Sequence, residues 1–166
     1  LELTIVNFAW MFDITFSVID LAVIWALGGS MIALAALIFL PVPVILVLGI
    51  VLVFGHNLLD SVQITHSTEG ALLWGLLHQP GGYQILGTDI YVTYPILPWI
   101  GVMALGYCFG FFYTRTVSNV KRKKILIPLG LFSVLLFFLL RFSNFYGDPP
   151  PWFVQEDPYF TLLSFF

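Results

Sequence analysis

The sequence predicts an all-α, polytopic transmembrane helix bundle, and three observations carry that prediction. Hydrophobic residues fill 60% of the 166 positions, charged residues only 9%, and the mean hydropathy is +0.99. Soluble domains carry about a quarter charged residues, so lipid must be the solvent for most of this chain. Several apolar runs also approach the roughly 20 residues that a spanning helix needs, with only short polar stretches between them. Finally, five of the six basic residues (Arg115, Lys121, Arg122, Lys123 and Lys124) fall in the single stretch 114–124, between two such runs. Lys and Arg are retained on the cytoplasmic side of spanning helices, so this stretch reads as a cytoplasmic loop that orients its neighbours.

Four near-complete spans follow, with truncated ones at both ends. Residues 1–12 are too few to cross and read as part of a span, with Asp13 marking its boundary. The second span covers about 18–40; positions 21–40 carry no charge, and Gly28, Gly29, Ser30, Ala33, Ala35 and Ala36 supply small side chains that let another helix approach. Pro41 and Pro43 end it, because proline lacks the N–H that a continuing helix needs. The third span, 42–59, opens apolar and closes on the polar sequence Gly55-His56-Asn57-Leu58-Leu59-Asp60.

Residues 60–94 form the longest non-spanning stretch, an outer loop. Its segment 71–77, ALLWGLL, is too short to cross and reads as an interfacial or bundle-packed helix. The fourth span, 95–113, is entered through Tyr91, Tyr94 and Trp99, the aromatic residues expected at a membrane surface, and Gly106 and Gly110 make a GxxxG pair within it. After the basic loop the fifth span covers 125–142, then an outer loop 143–158 rich in proline, then a partial span 159–166. With 114–124 inside, the outer segments hold Asp13, Asp60, Glu69, Asp89, Asp148, Glu156 and Asp157, and Arg141 is the one basic residue near them. Both ends fall within apolar runs, which predicts a fragment of one larger integral membrane domain, partnered by the bilayer, by further helices of the same protein and by a second copy where it forms a homo-oligomer.

Chemistry concentrates at the outer helix ends. His56 and Asp60 are four apart and are expected to share a helix face, where a carboxylate can fix the imidazole tautomer; Asn57 stands beside them. The plainer alternative, a helix end meeting water, is favoured on spacing alone. Arg141, with Asn144 three residues on and Asp148 beyond a turn, completes a polar cluster on the acceptor side; alternatively Arg141 snorkels to the surface. Asp20 stands at the edge of the second span, facing either the bundle or the interface. His66, Glu69 and His78 read as solvated loop residues, since no HxxxH or HExxH spacing supports a metal. Cys108 is alone and reads as a packing residue. No Walker or Rossmann fingerprint occurs, and the basic stretch has no interleaved aromatics, which argues against nucleic acid.

Five stretches taken together resemble one family: LELTIVNFAW (1–10), VIWALGGSMIALAAL (23–37), GHNLLD (55–60), YPILPWIGVMALGYCFG (94–110) and LRFSNFYGDPPPW (140–152). They are similar to bacterial membrane proteins with a heparan-alpha-glucosaminide N-acetyltransferase-like catalytic domain, related to the YeiB-like proteins. The resemblance implies an inner-membrane enzyme that moves an acetyl group from cytosolic acetyl-CoA to a sugar-like acceptor on the far side, with no covalently bound cofactor. It also implies that the family's catalytic histidine lies upstream of Leu1, leaving the catalytic residue of this chain unknown. Lys121, Arg122, Lys123 and Lys124 become possible contacts to the donor's phosphates. A transporter or exporter, and a structural membrane subunit without chemistry, are the alternative functions.

Overall fold

The computed structural model describes residues 1–65, 70–143 and 154–163. The chain divides into two compact units, Leu1–Phe111 and Phe112–Phe166.

Three helices form the frame of the first unit. α2 (Val23–Leu37), α3 (Val42–Gly55) and α5 (Ile96–Phe109) are apolar on every side, as expected of helices solvated by lipid. Pro41 caps α3 and Pro43 lies in its first turn, where a missing N–H leaves no helical bond unmade. α5 packs on both α2 and α3. The Cys108 thiol, late in α5, lies 3.8 Å from the carbonyl of Val42 at the start of α3, so these two helices run antiparallel.

Glycines set the closeness of that crossing. A Cβ on Gly101 would lie 2.8 Å from Leu52 Cβ and 3.0 Å from the Val53 backbone nitrogen, and one on Gly49 would lie 2.9 Å from Leu105 Cδ2. Ala26 and Ser30 of α2, Ile45 of α3 and Ala104 of α5 are fully buried along the same seams. The expected GxxxG pair is a different matter: nothing approaches within 4 Å of a Cβ built on Gly106 or Gly110. Gly28 is likewise open, whereas Gly29 faces Ile96.

The all-α expectation needs correction, because a three-stranded sheet is present. β1 (Val18–Leu21) pairs in parallel with β3 (Thr88–Val92), which pairs antiparallel with β2 (Gly81–Ile85), giving the order β1-β3-β2. β2 and β3 form a hairpin whose two central residues, Leu86 and Gly87, have φ of 50° and 86°, the positive values that match a tight turn to strand twist. The 18–40 span therefore shortens at its start: 18–21 is strand, and the helix begins at Val23.

Residues 60–94, expected as a loop, contain β2, β3 and the short helix α4 (Ala71–Leu77). Leu21, Ala71, Tyr83 and Val92 form a core shared by sheet and helix, with Trp25 and Leu76 packed against it. Tyr83 lies over Gly75 and donates its hydroxyl hydrogen to the Gln79 carbonyl at 2.8 Å. Burial pushes its phenol pKa above the ordinary tyrosine value. β1 runs into α2 and β3 into α5, so this small α/β layer sits where α2 and α5 begin.

The start of the chain is a π-helical turn, Glu2–Val6, followed by α1 (Asn7–Met11). It is tied into the unit by polar groups. Asn7 donates to the carbonyls of Glu2 and Asp20 and accepts from the Asp20 amide, while the Glu2 carboxylate accepts the Trp25 amide at 2.9 Å.

In the second unit, α6 (Asn119–Ser143) is a 25-residue helix, and α7 (Pro158–Leu163) is short. The helix reaches back into the expected loop 114–124. Ser118 is the reason: its carbonyl accepts the Arg122 amide and its hydroxyl accepts the Lys121 amide, which starts the helix ahead of the basic residues. Pro128 lies inside α6 and removes the backbone bond to the Lys124 carbonyl.

Among the described residues three segments are long and apolar enough to cross a membrane, Val42–Leu59, Ile96–Tyr113 and Asn119–Leu140, and α2 is a shorter apolar helix. None of the Asn119–Leu140 window is buried. A largely helical, multi-span membrane bundle accounts for these exposures, since water would not tolerate them.

Candidate functional site

The last turn of the span Val42–Leu59 tightens into a 3₁₀ helix, His56–Leu59. That change redirects its polar side chains. A 3₁₀ helix has 3.0 residues per turn, so positions three apart eclipse, whereas an α-helix would have aligned His56 with Asp60. Asn57, not His56, accordingly reaches Asp60, its amide donating to Oδ2 at 3.2 Å. The expected His56–Asp60 pair is thus replaced by an Asn57–Asp60 pair.

His56 turns back on its own helix. Its Nδ1 lies 3.0 Å from the Val53 carbonyl and 3.1 Å from that of Leu52. Two carbonyl partners require Nδ1 to carry the hydrogen in the neutral ring, which leaves Nε2 as its lone pair.

The other oxygen of Asp60 meets His78, whose Nε2 stands 3.0 Å from Oδ1. His78 was expected in a solvated loop; it is instead 8% exposed, at the C-terminal end of α4. With the hydrogen of its neutral ring on Nε2, toward the carboxylate, the lone pair falls on Nδ1. That atom is buried and has no hydrogen-bond partner among the described residues. The His78 ring packs 5.3 Å from Trp74 and 6.2 Å from His56, centroid to centroid.

Backbone contacts hold α4 over this helix end. Trp74 Nε1 donates to the Val62 carbonyl at 3.0 Å. The Gln79 side-chain amide spans Ile64, accepting its N–H at 3.0 Å and donating to its carbonyl at 3.3 Å. Gln79 itself is 9% exposed, so these bonds form largely out of water.

The structure therefore brings together His56, Asn57 and Asp60 of the expected cluster and adds His78. Arg141 lies in α6 of the second unit, with its side chain outside the described residues, as are Asn144 and Asp148 and the expected loop residues His66 and Glu69. Lys121, Lys123 and Lys124 are exposed on the first turns of α6; Arg122 is half-buried, donating to Asn119 and lying 5.0 Å over the Tyr113 ring. No group of three metal-ligating side chains occurs among the described residues.

A second polar site escaped sequence reasoning. Glu2 and Asn7 are 6% and 4% exposed, and together with Asp20 they line a cleft of about 300 Å³ walled by Trp10 and Met11. Asp20 is half-buried. Its carboxylate accepts the Thr93 hydroxyl at 2.7 Å, tying β1 to the end of β3, and its backbone is held by the Asn7 side chain of α1. The available signal was the pair of acids, Glu2 and Asp20, at the ends of otherwise apolar runs.

Chemically, the His56–His78 pair offers two imidazoles, each with one nitrogen fixed by a partner and a lone pair on the other. A lone pair so placed can accept a proton from a bound hydroxyl or amine, which is the chemistry of a general base. No known family model, no curated protein and no solved structure matches this chain.

Proposed function

We propose that the chain is part of an integral membrane acyltransferase, and that the His56–Asp60–His78 cluster receives a polar, sugar-like acceptor. The observation that carries this reading is the buried His78 ring, fixed to Asp60 through Nε2 and left with an unpartnered lone pair on Nδ1. A buried polar atom without a partner is destabilising, and a substrate N–H or O–H would satisfy it. The resemblance of GHNLLD, which contributes His56 and Asp60, to acetyltransferase-like membrane proteins supports the same assignment.

In this reading the imidazole accepts the acceptor's proton as its nitrogen or oxygen attacks the carbonyl carbon of an acyl thioester of the acetyl-CoA class. The tetrahedral adduct then collapses, the thiolate leaves, and it takes up the proton. Asp60 orients the ring throughout and offsets its positive charge. The remaining catalytic groups belong to other parts of the protein, in the bacterial inner membrane.

The test is acetyl-CoA-dependent labelling of an amino-sugar by the full protein in membranes, compared with His56→Ala, Asp60→Ala and His78→Gln. Loss of general-base assistance lowers the rate by about 10²–10⁴-fold. Unchanged labelling in all three variants would remove the acceptor-site role.

The cleft at Glu2, Asn7 and Asp20 favours a second reading, a transporter, because it gathers two acids in a solute-sized space beside the start of the apolar helix α2. Uptake or efflux by reconstituted protein without an acyl donor is its signature.

A further inference from the structure

The basic residues at the start of α6 form a collar. In an α-helix successive side chains are separated by about 100°, so Lys121, Arg122, Lys123 and Lys124 point in four directions around one turn, within about 5 Å along the axis. Arg122 is occupied by Asn119 and Tyr113. The three lysines remain exposed, at about 0°, 200° and 300° around the helix.

This collar stands at a fixed depth. Directly after it, residues 125–143 continue the same helix for about 28 Å, close to the ~30 Å hydrocarbon thickness of a bilayer. With that segment in the hydrocarbon, the lysines lie at headgroup level.

The collar has no acid on its own helix or in the residues leading into it. Residues 112–143 contain no Asp or Glu, and the adjacent cations repel one another. They stand moreover at the N-terminal end of a helix, where the macrodipole disfavours positive charge. Anions supplied from outside relieve both penalties.

We infer that Lys121, Lys123 and Lys124 bind the phosphates of anionic phospholipids and anchor α6 at one face of the membrane. The spread of the three lysines selects this occupant over a soluble phosphate compound such as a nucleotide. One bound nucleotide lies on one side of the helix and meets one or two of the ammonium groups. A headgroup layer surrounds the helix and meets all three.

These are the three lysines of this chain, and a Lys121→Arg/Lys123→Arg/Lys124→Arg variant of the full protein, which keeps their charge but resists acetylation, isolates their share of the effect. The full protein is reconstituted into nanodiscs containing phosphatidylcholine and phosphatidylglycerol, and the lipids retained are counted by mass spectrometry. Acetylating the lysines after reconstitution removes their charge without altering insertion or orientation. Phosphatidylglycerol is expected to be enriched by on the order of 100-fold at low salt, from about fivefold per lysine, and the enrichment is expected to fall with salt and on acetylation. Equal retention of the two lipids, or enrichment that survives acetylation, overturns the inference. Displacement of phosphatidylglycerol by millimolar coenzyme A also overturns it, in favour of a soluble phosphate ligand.

Discussion

Nε2 of His78 stands 3.0 Å from Oδ1 of Asp60, while Nδ1 of the same buried ring has no hydrogen-bond partner among the described residues. The two residues are 18 apart in sequence, and the contact joins the end of a spanning helix to the end of α4. Removing the carboxylate strands a second buried nitrogen. Asp60→Ala is expected to destabilise the first unit by about 1–3 kcal/mol, whereas Asp60→Asn keeps an acceptor and changes stability by less than about 1 kcal/mol. Thermal unfolding in detergent measures both. Equal melting of the Ala variant and the parent would show that the pair has no structural weight.

Gly75 and Tyr83 are coupled more tightly. A Cβ on Gly75 would lie 2.3 Å from Tyr83 Cζ, far inside contact distance. Tyr83 cannot swing away freely, because its hydroxyl is bonded to Gln79, whose side chain holds Ile64. Gly75→Ala is expected to cost about 1–3 kcal/mol despite the better helix propensity of alanine. Combining it with Tyr83→Leu, which removes the outer ring atoms, is expected to recover part of the loss in a double-mutant cycle. Strictly additive effects would contradict the coupling.

Much of this architecture was legible in the sequence, and the part that was not has a common cause. Length and apolarity located the spans, since a bilayer sets how many residues are needed to cross it. Pro41 and Pro43 marked the helix boundary, and ALLWGLL was too short to cross and read as an interfacial or bundle-packed helix. Tertiary pairing was hidden. Val18–Leu21 sits inside an apolar run, and only its partner Thr88–Val92, about 70 residues away, makes it a strand. His78 lies in a stretch of loop composition, and nothing local reports that α4 folds onto Asp60. The 3₁₀ tightening at His56 moved the polar contacts by one residue. The candidate site was thus half visible, with the helix-end residues apparent and their long-range partner not.

Asp13 makes a prediction about pH. Thr15 and Ser17 each donate a hydroxyl and a backbone N–H to its two carboxylate oxygens, in a turn flanked by Phe12 and Phe16 at φ of 52° and 51°. The side-chain bonds from Ser17 and then Thr15 are the largest causes holding its carboxyl well below the ordinary carboxylate range. A lowered folded value places the stabilisation above the unfolded pKa of about 3.9, and it is lost as pH falls through the folded value. The turn should therefore persist in mild acid and loosen only in strong acid. Carboxyl-carbon NMR of Asp13 checks this, and a midpoint at or above that of a model peptide would refute it.

Gly101 of α5 and the Gly106–Gly110 pair at its end separate packing from pattern. Gly101 sits against Leu52 and Val53 and includes a backbone atom in its crowding, so the neighbour cannot give way by a rotamer change alone. Gly106 and Gly110 have the recognisable GxxxG spacing but face open space within this unit. Small residues matter in a membrane where they let backbones approach, not where they merely repeat at the right interval. Gly101→Ala is therefore expected to separate α3 from α5 and destabilise by about 1–3 kcal/mol. Gly106→Ala is expected to stay within about 1 kcal/mol of the parent, because nothing packs on the site and alanine favours the helix. Cysteine pairs placed across α3 and α5 would report the separation directly, through slower cross-linking in the Gly101 variant. The reverse ranking, with Gly106→Ala the more damaging, would mean that the α5 face opposite α3 carries a helix contact made outside this unit.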